Sequence, residues 1–168
     1  MTVLVAAASK HGATREIADA IARELTRHDV PAEVRDVGEV DDLDRFDAVV
    51  LGSAVYMGHW LEPARKFVER RGPDLAEKQT WLFSSGPVGE LAHAPKEAED
   101  VCDVDHLVAT TNAVEHRLFS GSLDKSTLGF PERAVMRAVG AQEGDYRDWG
   151  AIEAWASDIA ATLESSPS

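Results

Sequence analysis

Cysteine is nearly absent from this sequence: Cys102 is the single one in 168 residues. One thiol cannot form an intrachain disulfide and supplies no cysteine-based metal framework, so we predict no metal site and interpret Cys102 as a small buried residue. The N-terminus lacks the basic segment and apolar core of a secretory signal, and no apolar run approaches the roughly 20 residues of a membrane span. We therefore expect a cytoplasmic protein without stable membrane insertion.

Basic residues are also scarce, since 17 lysines and arginines stand against 30 aspartates and glutamates, for a formal net charge of −13. Such a surface repels phosphate backbones and anionic lipid head groups, which argues against nucleic-acid binding and peripheral membrane binding. The acidity leaves three explanations open: a basic redox partner, solubility, or a halophilic source. The acidic stretches at residues 39–44 and 97–100 are most simply solvated faces, although they could receive a basic partner.

Apolar runs alternate with helical patterns along the chain. Short, almost wholly apolar runs predict strands covered on both faces, and apolar residues that recur every three or four positions predict helices. The predicted strands are Thr2–Ala8, Ala32–Val37, Phe46–Ser53, Gln79–Ser85 and Val114–Gly121. The predicted helices are Ile17 to about His28, Glu62–Arg71, Pro95 to about Thr110, and the stripe from Trp149 to Leu163, with Asp148 as its N-cap.

This alternation predicts an α/β fold, a doubly wound open parallel sheet with helices on both faces. Five strands favour the order 2-1-3-4-5 over the order 3-2-1-4-5-6. The segment Asp124–Asp145, between the fifth strand and the last helix, fits neither order, and Pro131–Val139 inside it predicts a short helical insertion. We expect one domain over residues 1–164 and a frayed tail at 165–168.

Three loops should meet at the switch point of this sheet, where ligands bind beyond the carboxyl ends of the strands. The first, Ser9–Thr14, runs straight into a helix, whose N-terminal N–H groups and partial positive charge favour a phosphate. Its hydroxyl side chains can donate hydrogen bonds, and Gly12 allows close approach of the backbone. Neither a dinucleotide fingerprint nor a P-loop pattern is present, so the loop fits one terminal phosphate. A plain polar turn into a helix remains the alternative.

The other two loops offer groups that suit a planar ring and a sugar chain. In Ser53–Trp60, Tyr56 and Trp60 offer aromatic faces. Trp60 could equally pack the following helix against the sheet, and both interpretations stand. Ser84–Gly89 begins with two serines that suit a sugar chain or the polar edge of a ring. Taken together, the three loops predict a site for a mononucleotide with a planar head.

The motif S-x-H-G-x-T at Ser9–Thr14 resembles the flavodoxin phosphate loop, [ST]-x-[ST]-G-x-T, with His11 in place of a hydroxyl residue. Together with residues 9–26, 49–70 and 145–160, it is most similar to flavodoxin-domain proteins of the menaquinone-dependent protoporphyrinogen oxidase family. The resemblance covers nearly the whole chain and implies a flavodoxin-like fold with bound FMN. By position it assigns the phosphate to Ser9, Lys10, His11, Gly12, Ala13 and Thr14, the flavin ring to Ala54, Val55, Tyr56, Met57 and Gly58, and the ribityl chain and far side of the ring to Ser84, Ser85, Gly86, Pro87 and Gly89.

The resemblance implies an FMN-dependent oxidoreductase that acts on a small flat redox substrate of the quinone or porphyrinogen class. In the porphyrinogen oxidases the segment that corresponds to Asp124–Asp145 is longer, more basic and more aromatic, so the resemblance is weaker on substrate. Two alternatives stay open: a flavodoxin-type electron carrier that needs a redox partner protein, and a non-redox domain on the same fold. A homodimer is a further expectation.

Two residue-level hypotheses accompany this assignment. The backbone at Met57–Gly58 should contact flavin N5, because glycine accepts either orientation of the peptide. His11 stands out among the histidines through its place in the motif, whereas His116 is interpreted as lying away from the loops. The resemblance assigns no acid–base residue, and we interpret the stripe of Trp149 and Trp155 as core.

Overall fold

The computed structural model describes residues 2–9, 12–56, 59–85, 104–119, 122–123, 144–145 and 149–165. The strands are β1 (Val3–Ala8), β2 (Ala32–Asp36), β3 (Ala48–Tyr56), β4 (His59–Trp60), β5 (Gln79–Ser85), β6 (His116–Phe119), β7 (Ser122–Leu123) and β8 (Gly144–Asp145). The helices are α1 (Ala13–Arg27), α2 (Glu62–Ala76), α3 (Val104–Thr111) and α4 (Trp149–Ser165), and Val37–Glu39 forms a 3-10 turn.

The main sheet contains five parallel strands in the order β2-β1-β3-β5-β6. The two-residue β4 pairs antiparallel with β3, and β7 pairs with β8 in a separate ribbon. When β4 is left out of the count, this order is the predicted 2-1-3-4-5. The predicted fold class is therefore confirmed.

Each face of the sheet carries its own hydrophobic core. Helices α1 and α4 cover one face, where Trp155 packs edge-on against Phe83 and Phe119 with ring centroids 6.1 and 5.5 Å away. Helices α2 and α3 cover the other face, where Trp60 and Phe67 are buried. β1 lies between β2 and β3 and is buried along its whole length, which explains its wholly apolar composition. The interpretation of Trp155 as core is confirmed, and Trp149 packs partly buried at its margin.

Helix α2 runs beyond its predicted end at Arg71 and continues to Ala76, across Gly72 and Pro73. Proline in a helix interior removes a backbone hydrogen bond, so the sequence predicts a stop there. Tertiary packing overrides this preference, because Leu75 is fully buried and its carbonyl accepts the Thr80 hydroxyl at 2.9 Å. Several predicted features lie outside the described residues, namely the first part of the helix from Pro95, the N-cap Asp148 and the helix at Pro131–Val139.

Within the described ranges, no helix has both the length and the apolar character needed to cross a membrane.

Candidate functional site

The carboxyl ends of three strands lie level at one edge of the sheet. Ala8 of β1 pairs with Ser53 of β3, and Ser53 pairs in turn with Ser84 of β5. In the next row, Ala54 lies beside Ser85. The structure therefore brings the beginnings of the three predicted loops to one place, since the first loop follows Ala8 directly.

The first loop reaches α1 through a backbone conformation that requires glycine. Gly12 has φ +89° and ψ −11°, in the left-handed region, and its N–H donates to Ser9 Oγ at 2.8 Å. Among the described residues, a Cβ built on Gly12 would have no heavy atom within 4 Å, so the glycine is needed for its φ angle. The sequence predicts close approach of the backbone at this glycine, and the structure adds the φ angle as the reason for glycine.

This geometry fits an anionic group at the start of α1. Gly12 is the N-cap residue and has no side chain with which to cap the N–H groups of the first turn. The helix dipole places partial positive charge there. Thr14 lies in that turn and is 1% exposed. Arg15 is turned along the helix towards Asp19, with Nε 3.6 Å from Oδ1, and Lys10 and His11 lie outside the described residues.

The second loop is shorter than predicted, because β3 extends to Tyr56 rather than ending at Ser53. Tyr56 pairs with His59 and Val55 pairs with Trp60, so only two residues connect the paired strands. These two, Met57 and Gly58, lie outside the described residues. Ala54, Val55 and Tyr56 thus belong to a strand, and Ala54 and Val55 are half-buried.

Trp60 offers no aromatic face to a ligand at this edge, because its side chain is buried against α2 and is 1% exposed. Its indole Nε1–H donates to Ser84 Oγ at 2.7 Å. Of the two interpretations that the sequence left open, packing between helix and sheet is the one that the structure confirms. A neighbouring bond fixes the start of α2: Leu61, its N-cap residue, donates its N–H to Ser53 Oγ at 3.0 Å.

The third loop begins with two buried serines whose surroundings differ. Ser85 is paired with Ala54 in the outermost row, and Ser84 lies one row deeper with its hydroxyl enclosed. The Ser84 hydroxyl lies 2.7 Å from His116 Nε2, the first residue of β6. Gly86, Pro87 and Gly89 lie outside the described residues.

The hydrogen-bond chain through Ser84 contains one bond of fixed direction. Indole nitrogen can only donate, so Ser84 Oγ accepts from Trp60. The hydroxyl keeps a second lone pair and its own hydrogen, so it can donate to His116 Nε2 or accept from it, and the tautomer of the ring decides which. Burial lowers the pKa of His116 to about 4, in agreement with a neutral ring. Nδ1 is buried without a hydrogen-bond partner in the described structure.

The sequence interpretation of His116 as remote from the loops is thus wrong. The strand register pairs His116 with Leu82, two residues before Ser84, so both side chains lie on the same face of the sheet. The alternation of side chains along a strand predicts which residues of one strand share a face. To predict that His116 and Ser84 share a face, the register between β5 and β6 is needed as well. His59 is exposed, and His11 and His93 lie outside the described residues.

Comparison with known proteins agrees with this architecture. Residues 4–149 match a family model described as a flavodoxin domain. Protoporphyrinogen IX dehydrogenase [quinone] of Escherichia coli strain K12 is 28% identical over 86 residues, which are 50% of this chain and 48% of that protein. The match thus spans about half the length of this relative.

Solved structures show the same fold over nearly the whole chain. A flavodoxin from Streptococcus pneumoniae TIGR4 has a TM-score of 0.62 and 20% identity, with 96% of this chain and 99% of that chain covered. Rubredoxin oxygen:oxidoreductase from Desulfovibrio gigas has a TM-score of 0.66 and 13% identity, with 97% of this chain and 36% of that chain covered. On the strength of the family match over residues 4–149, this chain belongs to the flavodoxin-domain family, and that membership implies flavin binding.

Proposed function

We propose that this protein binds FMN at the shared edge of β1, β3 and β5 and uses it for electron transfer. The observation that carries the proposal is the meeting of an α1 N-terminus headed by Gly12 with the level ends of β3 and β5. The phosphate, the ribityl chain and the planar ring of FMN could each find a complementary surface within this short distance. Fold alone would not support this statement, because the same fold serves many functions.

Each segment has its own part in this proposal. Ser9–Thr14 would hold the phosphate, because N–H groups at a helix N-terminus bind anions without an added positive charge. Ala54–Gly58 would border the ring, and Ser84–Gly89 would border the ribityl chain. FMN, when bound, supplies the one-electron and two-electron chemistry, and the chain supplies position, exclusion of water and local electrostatics.

We further propose an oxidoreductase that acts on a flat substrate of the quinone or porphyrinogen class. The Escherichia coli relative supports this by its name, although it matches over half the chain only. A flavodoxin-type electron carrier is the second candidate, supported by similarity in fold to flavodoxins of the same size. A formal net charge of −13 would suit a basic redox partner of such a carrier. A single domain over residues 1–164, a homodimer and a cytoplasmic location stay predictions.

The cofactor is tested by titrating the apoprotein separately with FMN and with riboflavin, which lacks the phosphate. We expect tight quenching of flavin fluorescence by FMN and at least tenfold weaker binding of riboflavin, because the helix N-terminus contributes only to the phosphorylated ligand. Equal affinities would remove the phosphate assignment, and no binding of either flavin would remove the proposal itself.

Turnover assays separate the enzyme from the carrier. The FMN-loaded protein is mixed with NADH or NADPH and a soluble quinone, with and without a flavodoxin reductase. An enzyme of the proposed kind should reduce the quinone at rates that saturate with quinone concentration. A carrier should accept electrons only when the reductase is present.

A further inference from the structure

We propose that His116 is a positioning residue for the flavin site, acting through Ser84 and Trp60. The inference rests on the proposed FMN function and deepens it, because it names a residue outside the three loops that sets their geometry. His116 itself does not reach the sheet edge: it pairs with Leu82, two rows below Ser84.

The hydrogen-bond chain Trp60–Ser84–His116 ties three strands together beneath the site. Trp60 belongs to β4, Ser84 to β5 and His116 to β6, and the two bonds that link them are both 2.7 Å long. The chain adds a side-chain bond from β4 to β5 to the two-residue pairing of β4 with β3. The chain therefore fixes the short hairpin, whose connecting residues are Met57 and Gly58, against the strand that carries Ser84.

The chain needs the hydrogen-bond partner that His116 supplies. Ser84 is fully buried, so no bulk water can replace Nε2 as the partner of its hydroxyl if the ring is removed. The hydroxyl would then rotate or the local backbone would shift until a new partner was found. Either movement displaces the Ser84 hydroxyl, which accepts the hydrogen bond from the Trp60 indole. The hairpin between Tyr56 and His59 would shift as a result.

Matched variants separate the hydrogen bond from the bulk of the side chain. His116→Gln can place an amide oxygen or nitrogen near the position of Nε2, His116→Leu keeps a side chain of related size without a hydrogen-bonding group, and Trp60→Phe removes the indole donor at the other end. For each variant, the FMN dissociation constant, the flavin midpoint potential and the free energy of unfolding of the apoprotein are measured. The potential reports the surroundings of the ring, so a purely structural role would leave it unchanged.

We expect His116→Leu to weaken FMN binding by about tenfold and to shift the flavin midpoint potential. A tenfold change in affinity corresponds to the loss of one hydrogen bond. His116→Gln should restore both values to near those of the wild type. Trp60→Phe should have a similar effect to His116→Leu, and the double variant should lose less affinity than the product of the single losses, because both break one chain.

Three outcomes of these measurements would overturn the inference. If His116→Leu binds FMN with the wild-type affinity and potential, the chain does not position the site, although the proposed function stands. If His116→Gln and His116→Leu lose stability equally while the potential stays constant, His116 is structural only. If the wild type binds no flavin, the proposed function fails first and this inference with it.

A readout on the wild-type apoprotein covers the case in which the leucine variant does not fold. Nitrogen-15 chemical shifts of the histidine ring distinguish its two neutral tautomers. We expect one neutral tautomer of His116 to predominate, because the bond between Nε2 and Ser84 Oγ holds the ring in one arrangement. A mixture of the two tautomers would show that no fixed bond joins the ring to Ser84 and would overturn the inference.

Discussion

Replacing Gly12 with alanine isolates the cost of the backbone conformation on which the first loop depends. Gly12 has φ +89°, and an L-residue in the left-handed region costs roughly 1–2 kcal/mol. No steric clash with the part of the chain that the structure describes adds to this, because a Cβ there would meet none of its heavy atoms within 4 Å. Alanine also restricts the unfolded chain, which offsets about 0.4–1 kcal/mol. We therefore expect the free energy of unfolding to fall by about 1 kcal/mol.

The loop has a second way to respond. It can leave the left-handed region and lose the bond from the Gly12 N–H to Ser9 Oγ, which contributes about 0.5–1.5 kcal/mol. Because this loss is comparable to the strain, it limits the total destabilisation to about 1.5 kcal/mol. FMN titration separates the two responses: a loop that keeps its conformation binds FMN as before, whereas one that has left it binds up to about tenfold more weakly.

Urea unfolding of the apoprotein is the assay, with two matched variants. Gly38→Ala is the control, since this exposed glycine has no positive φ. A Cβ there would lie a tight 3.3 Å from Asp36 Oδ1, an atom of a side chain that has to shift by only a few tenths of an ångström. We expect Gly38→Ala to stay within about 0.5 kcal/mol of the wild type. Gly12→Asn should lose less than Gly12→Ala, because asparagine tolerates positive φ. If Gly12→Ala proves as stable as the wild type, or Gly12→Asn loses as much as Gly12→Ala, the backbone argument is wrong.

Three further predictions concern the core beneath the site. A Cβ on Gly52 would lie 2.1 Å from Phe83 Cζ, so Gly52→Ala should lower the free energy of unfolding by about 1–3 kcal/mol. Adding Phe83→Leu should recover part of this loss. An unchanged midpoint of urea unfolding for Gly52→Ala would contradict the prediction. Burial lowers the pKa of His116 from 6.5 to about 4, so the unfolded chain binds more protons between these values. The wild type should therefore lose stability relative to His116→Gln as the pH falls through that window, and parallel curves of stability against pH would refute it. Trp155 Nε1 donates to Glu115 Oε1 at 2.6 Å, so Trp155→Phe should lower the free energy of unfolding by about 1–2 kcal/mol. Glu115→Gln keeps an acceptor and should lower it by less. Equal losses in the two variants would contradict this hydrogen bond.

The sequence predicts the architecture well because the information lies in local patterns. The run Val3–Ala8 is apolar throughout since both of its faces are covered, and the pattern can be read without knowing the partner strands. The loop after it can be placed at the start of a helix, because the helical spacing of the apolar residues that follow is also a local pattern. Helix α2 shows where this fails: Gly72 and Pro73 predict a stop, and the burial of Leu75 carries the helix onward.

The site is less predictable, because its decisive contacts join residues distant in the sequence. Trp60 could face a ligand or the core, and the choice depends on its pairing with Val55 and on a hydroxyl acceptor at Ser84. His116 reaches Ser84 only through the register between β5 and β6, which the hydrophobic pattern leaves open. The assignments of FMN to individual loop residues stay predictions.

The place of β1 between two later strands has a consequence for the folding of the chain during synthesis. β1 comes first in the chain, yet its partners are β2 and β3, so Val3 must wait for Ala32 on one side and for Ala48 on the other. Until residue 48 has left the ribosome, a strand of six apolar residues has at least one unpaired edge. Such strands are prone to aggregate, and pairings between distant residues form slowly. Early nascent chains of this protein should therefore depend on chaperones more than chains in which β3 has already been made.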